Sequence, residues 1–443
     1  MTIDETPKGS AHEIERYSGL FARRTRGVNS SAMRDLMAVT AQPNVISLAG
    51  GLPDTTTFPA EDFAALMARV AVDSSAAALQ YGPTEGMDDV RRAIVTVMAA
   101  EGMRVEEDDL LVTTGGQQVI DLVCRTFLDP GDVVIAEGPT YPGAVPCFTA
   151  FQADVVQIEM DADGMRIDVL EDTLERLRVD GKRPKFIYTV PSFQNPAGVT
   201  MSLERRRELV RIAHEQELVV LEDNPYGLLR YEGDPLPTLL SLDGGRYVVY
   251  LGTFSKILSA GLRLGWAAAP RPILEKLNLG KQGADLCSSS LTQHFVAAYF
   301  AQRDWRAYLD KLRVLYRRRR DVMLEALEEH LPAEASWTRP QGGLFIWAAL
   351  PDYIDTTDLL ARALREHVAF VPGRAAYLDG RGGSEMRLNF SGVSDDRIRE
   401  GVRRIGKVVS EQVALYGTLT GMKPAEPRRS EGQVLPLKRR EAS

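Results

Sequence analysis

From about Leu110 the chain alternates short apolar runs with amphipathic stretches, and this alternation restricts the possible folds more than any other feature. The runs LLVTT, VVIAE, FIYTV, LVVLE and YVVYLG are rich in Val and Ile and almost continuously apolar. A strand with one solvated face would alternate apolar and polar residues, whereas a strand covered by helices on both faces need not. The pattern therefore predicts an α/β domain.

A second region begins near Ala301, where long charged helices are followed by a short-strand segment, GLFIWAAL, and by a last helix near 395–413. This order predicts a second, smaller α+β domain. The basic run 317–320 is flanked by acids, and four successive helix positions point in different directions. We therefore interpret it as a solvated helix face rather than a nucleic-acid patch. After Met422 the chain is rich in proline and charge, which predicts a mobile tail.

Composition excludes several other classes of protein. The 443 residues carry 53 basic and 61 acidic side chains, a net charge of −8 that argues against general nucleic-acid binding. Three widely spaced cysteines cannot form a disulfide framework, and five scattered histidines include no zinc-hydrolase pair. No run of about 18 apolar residues predicts a membrane span. The polar N-terminus lacks the apolar core of a secretory signal, so we expect a cytoplasmic protein without a metal site.

Polar residues directly after the predicted strands are the first candidates for function, because ligands of such sheets bind beyond the carboxyl ends of the strands. Lys256 follows the run YVVYL among Gly, Thr and Ser, where it could act as a nucleophilic amine or remain a solvated loop lysine. Asp223 directly follows the run LVVLE and is followed by Asn224 and Pro225. A carboxylate there either faces a cation or donor, because its desolvation is costly, or serves as a turn residue.

Two further loops have the same position. Asn195 lies in PSFQNPAG, after the run FIYTV, and Asn before Pro is also ordinary turn chemistry. The segment TTGGQQ joins a strand to a helix, whose free N–H groups and dipole favour an anion. The glycine spacing matches neither the dinucleotide fingerprint nor a P-loop, so neither chemistry is supported.

Together these motifs resemble the fold-type-I pyridoxal-phosphate (PLP) enzymes, namely the class I and II aminotransferases of the aspartate-aminotransferase superfamily. The resemblance covers 46–408 and includes, in order, ISLAGGLPD, LQYGPTEG, TTGGQQ, EGPTYPG, PSFQNPAG, VVLEDNPYG, GTFSKILSAGLRLGW, GGLFIWA and MRLNFS. The sequences of these motifs are most similar to those of the α-aminoadipate and kynurenine aminotransferase group, and to the aminotransferase-like half of certain transcriptional regulators.

The resemblance implies a large PLP-binding domain, built on a mostly parallel sheet flanked by helices, and a smaller α+β domain. On this basis we expect an N-terminal arm with part of the small domain at 1–58 and the large domain at 59–300. The rest of the small domain is expected at 301–422, and the mobile tail at 423–443.

The resemblance also implies roles for residues around the cofactor ring. Lys256 would hold PLP as an imine and then move a proton between the substrate Cα and the cofactor. Asp223 would pair with the protonated pyridine nitrogen. Asn195 and Tyr226 would hydrogen-bond the phenolic oxygen, and Tyr141 would stack on the ring.

The cofactor phosphate would be held by a helix start, two hydroxyls and a guanidinium. The residues that match these positions are Gly116, Gln117, Thr253, Ser255 and Arg263. Tyr81 would reach the phosphate of the neighbouring subunit, which implies a homodimer with shared active sites. Gly116 and Thr253 stand where serine is usual, and we expect Ala260 and Gly227 to alter the pocket wall.

Three positions concern the substrate. Arg387 matches the arginine that binds the α-carboxylate of amino and keto acids, a bidentate role that suits a guanidinium; otherwise it is an interface or surface ion pair. Gly51 would line the substrate with its backbone, and Asn195 would contact the substrate as well as the cofactor. Arg34 resembles an arginine that receives a distal carboxylate, although a surface charge is an equal alternative.

The implied activity is that of a PLP-dependent aminotransferase that moves an amino group between an α-amino acid and a 2-oxo acid by a ping-pong mechanism. Glutamate and 2-oxoglutarate are the expected pair. The alternative is other PLP chemistry on an amino acid, as in lyases, cyclising enzymes or oxidases. A PLP-sensing DNA-binding regulator is a third possibility, but only about thirty residues precede Ser31, so we expect no winged-helix domain there.

Overall fold

The computed structural model of the protein describes residues 17, 19–25, 42 and 44–421. The predicted arm residue Arg34 and the predicted tail at 423–443 lie outside the described residues. Among the helices that are described, none combines the length and the hydropathy needed to cross a bilayer.

The apolar runs form one large sheet, as the sequence predicts. Within the described range this sheet has eight strands in the order β2-β9-β8-β7-β6-β3-β4-β5. The five strands β4, β3, β6, β7 and β8 run parallel, while β9, β2 and β5 are antiparallel to their neighbours. The strands are β2 (Leu110–Thr113), β3 (Val133–Gly138), β4 (Asp154–Asp161), β5 (Gly164–Met165), β6 (Pro184–Thr189), β7 (Val219–Asp223), β8 (Val248–Thr253) and β9 (Gly265–Ala268).

Most residues of β2, β3, β6, β7, β8 and β9 are buried, because helices cover both faces of this sheet. The described α-helices that precede the C-terminal unit are α1 (Ala60–Asp73), α2 (Ser75–Ala78), α3 (Asp88–Ala100), α4 (Gly116–Phe127), α5 (Val145–Ala150), α6 (Ile167–Val179), α7 (Leu203–Glu215), α8 (Leu239–Asp243), α9 (Arg271–Gln282) and α10 (Ser290–Gln302).

The C-terminal part is a second, smaller α+β unit. Its antiparallel sheet has the order β10-β11-β14-β13. The elements are α11 (Trp305–His330), β10 (Ser336–Trp337), β11 (Phe345–Ala349), α12 (Thr356–Arg365), β12 (Val368–Ala369), β13 (Val371–Pro372), β14 (Glu385–Asn389) and α13 (Asp395–Thr420). The short strand β1 (Ile46–Ser47) pairs in parallel with β12, so an N-terminal segment joins this unit. The fold class is confirmed, and the exact domain boundaries stay predictions.

The basic run on α11 differs from its prediction. Arg317 and Arg318 are exposed, but Arg319 and Arg320 retain only 7% and 5% of their accessible surface. Each buried guanidinium is paired, Arg319 with Asp54 and Arg320 with Glu232. The interpretation of the whole run as a solvated face is therefore wrong for two of its four residues, because α11 packs with its other side against the protein.

The strand directions bring the predicted site loops to one edge of the large sheet. Strands β6, β7 and β8 are parallel, so the residues after Thr189, Asp223 and Thr253 lie at the same edge. The antiparallel register places Gly265 opposite both Thr253 and Thr113, so α4 begins at that edge too.

Gly265 allows the start of α4 to approach the sheet. A Cβ at this position would lie 2.8 Å from Gly115 C, 2.8 Å from Gly116 N and 2.9 Å from Gly252 O, all of them backbone atoms that cannot turn away. We expect Gly265→Ala to lower the free energy of unfolding by about 2 kcal/mol, the usual cost of overpacking, as measured by urea denaturation. Gly261→Ala is the control, because its Cβ would meet only Ser259 Oγ at 3.7 Å. Equal stability of the two variants would contradict this packing.

Candidate active site

Asp223 places a deeply buried acid in the site, with 5% of its surface exposed at the end of β7. The Tyr188 hydroxyl donates to its Oδ2 at 2.6 Å. Burial raises the pKa of the Asp223 carboxyl to about 6, although the hydrogen bond from Tyr188 and the charge of Lys256 both oppose the rise. The carboxylate is thus held where a cationic partner would be bound strongly.

Lys256 lies just beyond β8, half-buried, and its Nζ donates to Gly51 O at 2.6 Å. Burial lowers the pKa of the Lys256 ammonium to about 8, and the positive charges of Arg387 and Arg263 lower it further against the attraction of Asp223. A lysine with this pKa yields its proton readily near neutral pH. The neutral amine is the nucleophilic form, so the surroundings activate this side chain.

Arg387, in the middle of β14, faces the loops of the large sheet. Its Nη1 donates to Asn195 Oδ1 at 2.9 Å, its Nη2 donates to Ala49 O at 2.7 Å, and its Cζ lies 4.5 Å from the centre of the Phe345 ring. Burial lowers the pKa of the guanidinium to about 10, which still leaves it cationic at neutral pH. The result is a fixed, desolvated cation suited to a carboxylate.

Two tyrosines complete the wall around these charges. Tyr226 shares a hydrogen bond with Asn195 and stands edge-on to Phe345, with ring centres 5.9 Å apart; burial raises the pKa of its hydroxyl. Burial and the charge of Asp223 raise the pKa of Tyr141 to about 12. Both hydroxyls therefore stay protonated and can donate hydrogen bonds at neutral pH.

The start of α4 forms a cradle with β8 and β9. Gly115, at φ 77°, caps the helix, and a Cβ there would collide with the guanidinium of Arg263. The Thr253 hydroxyl donates to Ser255 Oγ at 2.9 Å. Helix N–H groups, two hydroxyls and a guanidinium are the donors that a phosphate requires, and a buried acid with an activated lysine suits a pyridine aldehyde. The residues thus fit the PLP that the resemblance implies.

The remaining predicted residues are placed as follows. The Gln117 side chain donates to Gly143 O at 2.6 Å and so ties the helix start to the loop of Tyr141. Tyr81 lies on the surface of the single chain, 78% exposed. Gly227 packs against the half-buried Glu101 carboxylate, where a Cβ would collide, so this departure from the family pattern leaves room for that acid.

Sequence reasoning missed three residues that shape the site. Tyr188 holds Asp223, and Phe345 lies beneath Arg387. The buried carboxylate of Glu137 accepts hydrogen bonds from Val190 N and Gln194 Nε2, both at 3.1 Å, and so orders the loop that carries Asn195. A signal for Glu137 was present, since this acid ends the apolar run VVIAE and Asp223 likewise directly follows the run LVVLE.

Comparison with known proteins gives consistent matches. The family model for aminotransferase class I and II matches residues 43–405. Aromatic-amino-acid aminotransferase 1 of Thermococcus litoralis is 41% identical over 403 residues, which cover 90% of this chain and 95% of that protein. The structure of Pyrococcus horikoshii kynurenine aminotransferase, solved with PMP, is 40% identical with a TM-score of 0.86 and covers 90% of this chain and 98% of its own.

A third match carries a cofactor adduct. The α-aminoadipate aminotransferase of Thermus thermophilus, complexed with N-(5'-phosphopyridoxyl)-L-leucine, is 37% identical with a TM-score of 0.84. The match covers 90% of this chain and 99% of that one.

The buried charge of Asp223 leads to a prediction about stability. Its folded pKa of about 6 exceeds the ordinary value of 3.8, so the cofactor-free protein loses stability as the pH rises through this window and the carboxyl ionises. Because each pKa unit corresponds to about 1.4 kcal/mol, we expect Asp223→Asn to gain about 2 kcal/mol over the unchanged protein between pH 4 and 7. Urea unfolding of the cofactor-free proteins measures this difference, with Asp180→Asn at the exposed end of α6 as control. A difference that does not change with pH would contradict the prediction.

Proposed function

Since the chain belongs to the family of class I and II aminotransferases and its cofactor is pyridoxal phosphate, we propose that it transfers an amino group between an α-amino acid and a 2-oxo acid. The proposed mechanism is ping-pong, with glutamate and 2-oxoglutarate as one substrate pair. The observation that carries the proposal is the convergence of an activated lysine, a buried aspartate and a buried arginine at one edge of the sheet. The first two suit the cofactor, and the third suits the carboxylate that all α-amino acids share.

Lys256 and Asp223 carry the chemistry in this proposal. When bound, PLP supplies an aldehyde that takes up the amino group and a ring that withdraws electrons from the substrate Cα. Lys256 would hold the cofactor covalently until the amino group of the substrate displaces it, and its freed amine would then take the proton from Cα. Its lowered pKa supports this role, because a general base works best when its pKa is near the working pH. Asp223 keeps the ring nitrogen protonated through its negative charge.

Other residues orient the reactants. Arg387 binds the α-carboxylate, with Asn195 and the backbone of Gly51 beside it. The contact of Arg387 with Asn195 supports this assignment, since it holds the guanidinium in one orientation before substrate arrives. Tyr226 and Asn195 hydrogen-bond the phenolic oxygen, and Tyr141 stacks on the ring.

In this proposal the cofactor phosphate binds at the start of α4, and a second subunit packs on the exposed surface around Tyr81. The phosphate residues are Gly116, Gln117, Thr253, Ser255 and Arg263. Tyr81 of a partner completes the cradle in a homodimer with shared sites. The exposure of Tyr81 and of its neighbour Leu79, 78% and 82%, supports this, because a partner would cover both. The domain boundaries after residues 58 and 300 and the cytoplasmic location are part of the same proposal.

The test is a half-reaction screen with a panel of amino acids. A transaminase converts its bound PLP to the pyridoxamine form when an amino acid is added alone, and the absorbance spectrum follows this conversion. Release of ammonia or peroxide instead of the pyridoxamine form would favour the lyase or oxidase alternative, which needs the same lysine.

Lys256 provides a direct test of the chemistry. We expect Lys256→Ala to lower sustained transamination by at least about 100-fold, because the proton-transfer group is lost. Borohydride treatment followed by peptide mapping should fix the cofactor to Lys256 in the unchanged protein. Lys276→Ala, a change on the exposed side of α9, is the matched control and should retain activity. Sustained transamination by the Lys256 variant would refute the assignment.

Arg34 provides a test of substrate choice. We expect Arg34→Ala to raise the KM for glutamate and 2-oxoglutarate by roughly 10-fold, because a charged hydrogen bond to the distal carboxylate would be lost. The KM for a neutral amino acid such as phenylalanine serves as the control and should not change. Unaltered constants for the two dicarboxylates would remove Arg34 from the site.

A further inference from the structure

The segment 48–54 contacts both Arg387 and Lys256, and successive carbonyl groups of the segment accept hydrogen bonds. Asn389 N donates to Leu48 O at 2.8 Å, Arg387 Nη2 donates to Ala49 O at 2.7 Å, and Ser391 Oγ donates to Leu52 O at 2.8 Å.

Between these contacts, Gly50 O also accepts from Arg387, at 3.4 Å, and Gly51 O accepts from Lys256. Five consecutive carbonyl groups therefore contact β14, the residues just after it, or Lys256.

The far end of this segment is held by α11. The Asp54 carboxylate accepts from Arg319 Nη2 at 2.8 Å and from Thr56 N at 3.0 Å, and Asp54 N donates to Tyr316 OH at 3.0 Å. Arg319 and Asp54 expose only 9% and 14% of their side chains, so water screens the ion pair weakly.

Arg319 also donates to Ser391 O, directly after β14. One guanidinium thus joins the segment 48–54 to the strand that carries Arg387. Its neighbour Arg320 has different partners, Glu232 and Pro340 O, and both of these lie outside the segment 48–54.

We propose that Arg319 and Asp54 are positioning residues for binding of the amino-acid α-carboxylate: their ion pair fixes the segment 48–54, whose carbonyls orient the Arg387 guanidinium. The proposal rests on the proposed function, in which Arg387 binds that carboxylate. Without the ion pair the segment gains freedom, and Arg387 must be ordered when substrate binds. That ordering weakens substrate binding more than it slows the reaction of bound substrate, because Asp223 at the end of β7 and Lys256 just beyond β8 are held by the large sheet, and Lys256 meets the segment at one carbonyl, Gly51 O.

The experiment measures the half-reaction of the PLP form by stopped-flow absorbance, which separates the substrate Kd from the limiting rate. The probes are L-glutamate and L-phenylalanine, which share the α-carboxylate and differ in the distal group. For Arg319→Gln and Asp54→Asn we expect the Kd to rise roughly 5- to 30-fold, by a similar factor for both probes, with the limiting rate changed less than about 3-fold. The double variant should match the single variants, because either change already breaks the pair.

Two further variants keep the test decisive. Tyr316→Phe removes only the hydroxyl that binds Asp54 N, so it tests the same anchor if Arg319→Gln fails to fold. Arg318→Gln, in the same basic run but exposed and paired with Asp395, is the matched control and should leave Kd unchanged.

Arg387→Lys separates this inference from the proposed function. If that variant binds both probes normally, the carboxylate role of Arg387 is wrong. If it raises Kd while Arg319→Gln, Asp54→Asn and Tyr316→Phe lower only the melting temperature, the ion pair is merely structural and the positioning role alone is overturned. A Kd increase confined to glutamate would also overturn it, because the α-carboxylate is common to both probes.

Discussion

The desolvated carboxylate of Asp223 is the constraint around which this site is arranged. A charge at the buried end of a strand costs free energy, and the protein offsets only part of that cost with the Tyr188 hydroxyl and the charge of Lys256. The raised pKa of Asp223 reflects the part of this desolvation cost that is not offset in the cofactor-free protein. Such a position is poor for stability and good for binding a cation, a compromise that is common where a function needs it.

The cations around Lys256 act in the opposite direction. Arg387 and Arg263 come from different parts of the chain, yet both make the ammonium form of Lys256 less favourable, in addition to burial. Positive charges that would bind two anions, a carboxylate and a phosphate, thereby also activate the amine between them. The net charge of −8 describes the whole chain and conceals this local positive field.

Much of the fold and the site could be predicted from the sequence because their signals are local. Continuous apolar runs predict strands covered on both faces, and polar residues after those runs mark the carboxyl edge of a parallel sheet. Lys256, Asp223 and Asn195 are predicted as site residues in this way. Arg319 could not be assigned, because nothing in four successive arginines says which of them faces the protein. The carbonyl groups of the segment 48–54 could not be assigned either, since a backbone acceptor has no signature in a sequence.

The sequence by itself determined the alternation of strands and helices, the residues at the ends of the strands and the resemblance to one enzyme family, because each of these depends on neighbours along the chain. Only the tertiary structure decided which distant groups meet: Tyr188 with Asp223, Gly51 with Lys256, and Asp54 with Arg319. These pairs are separated by up to 265 residues, and their contacts follow from how strands and helices pack. The pKa changes of the site depend on burial and on such contacts, so they too belong to the folded molecule.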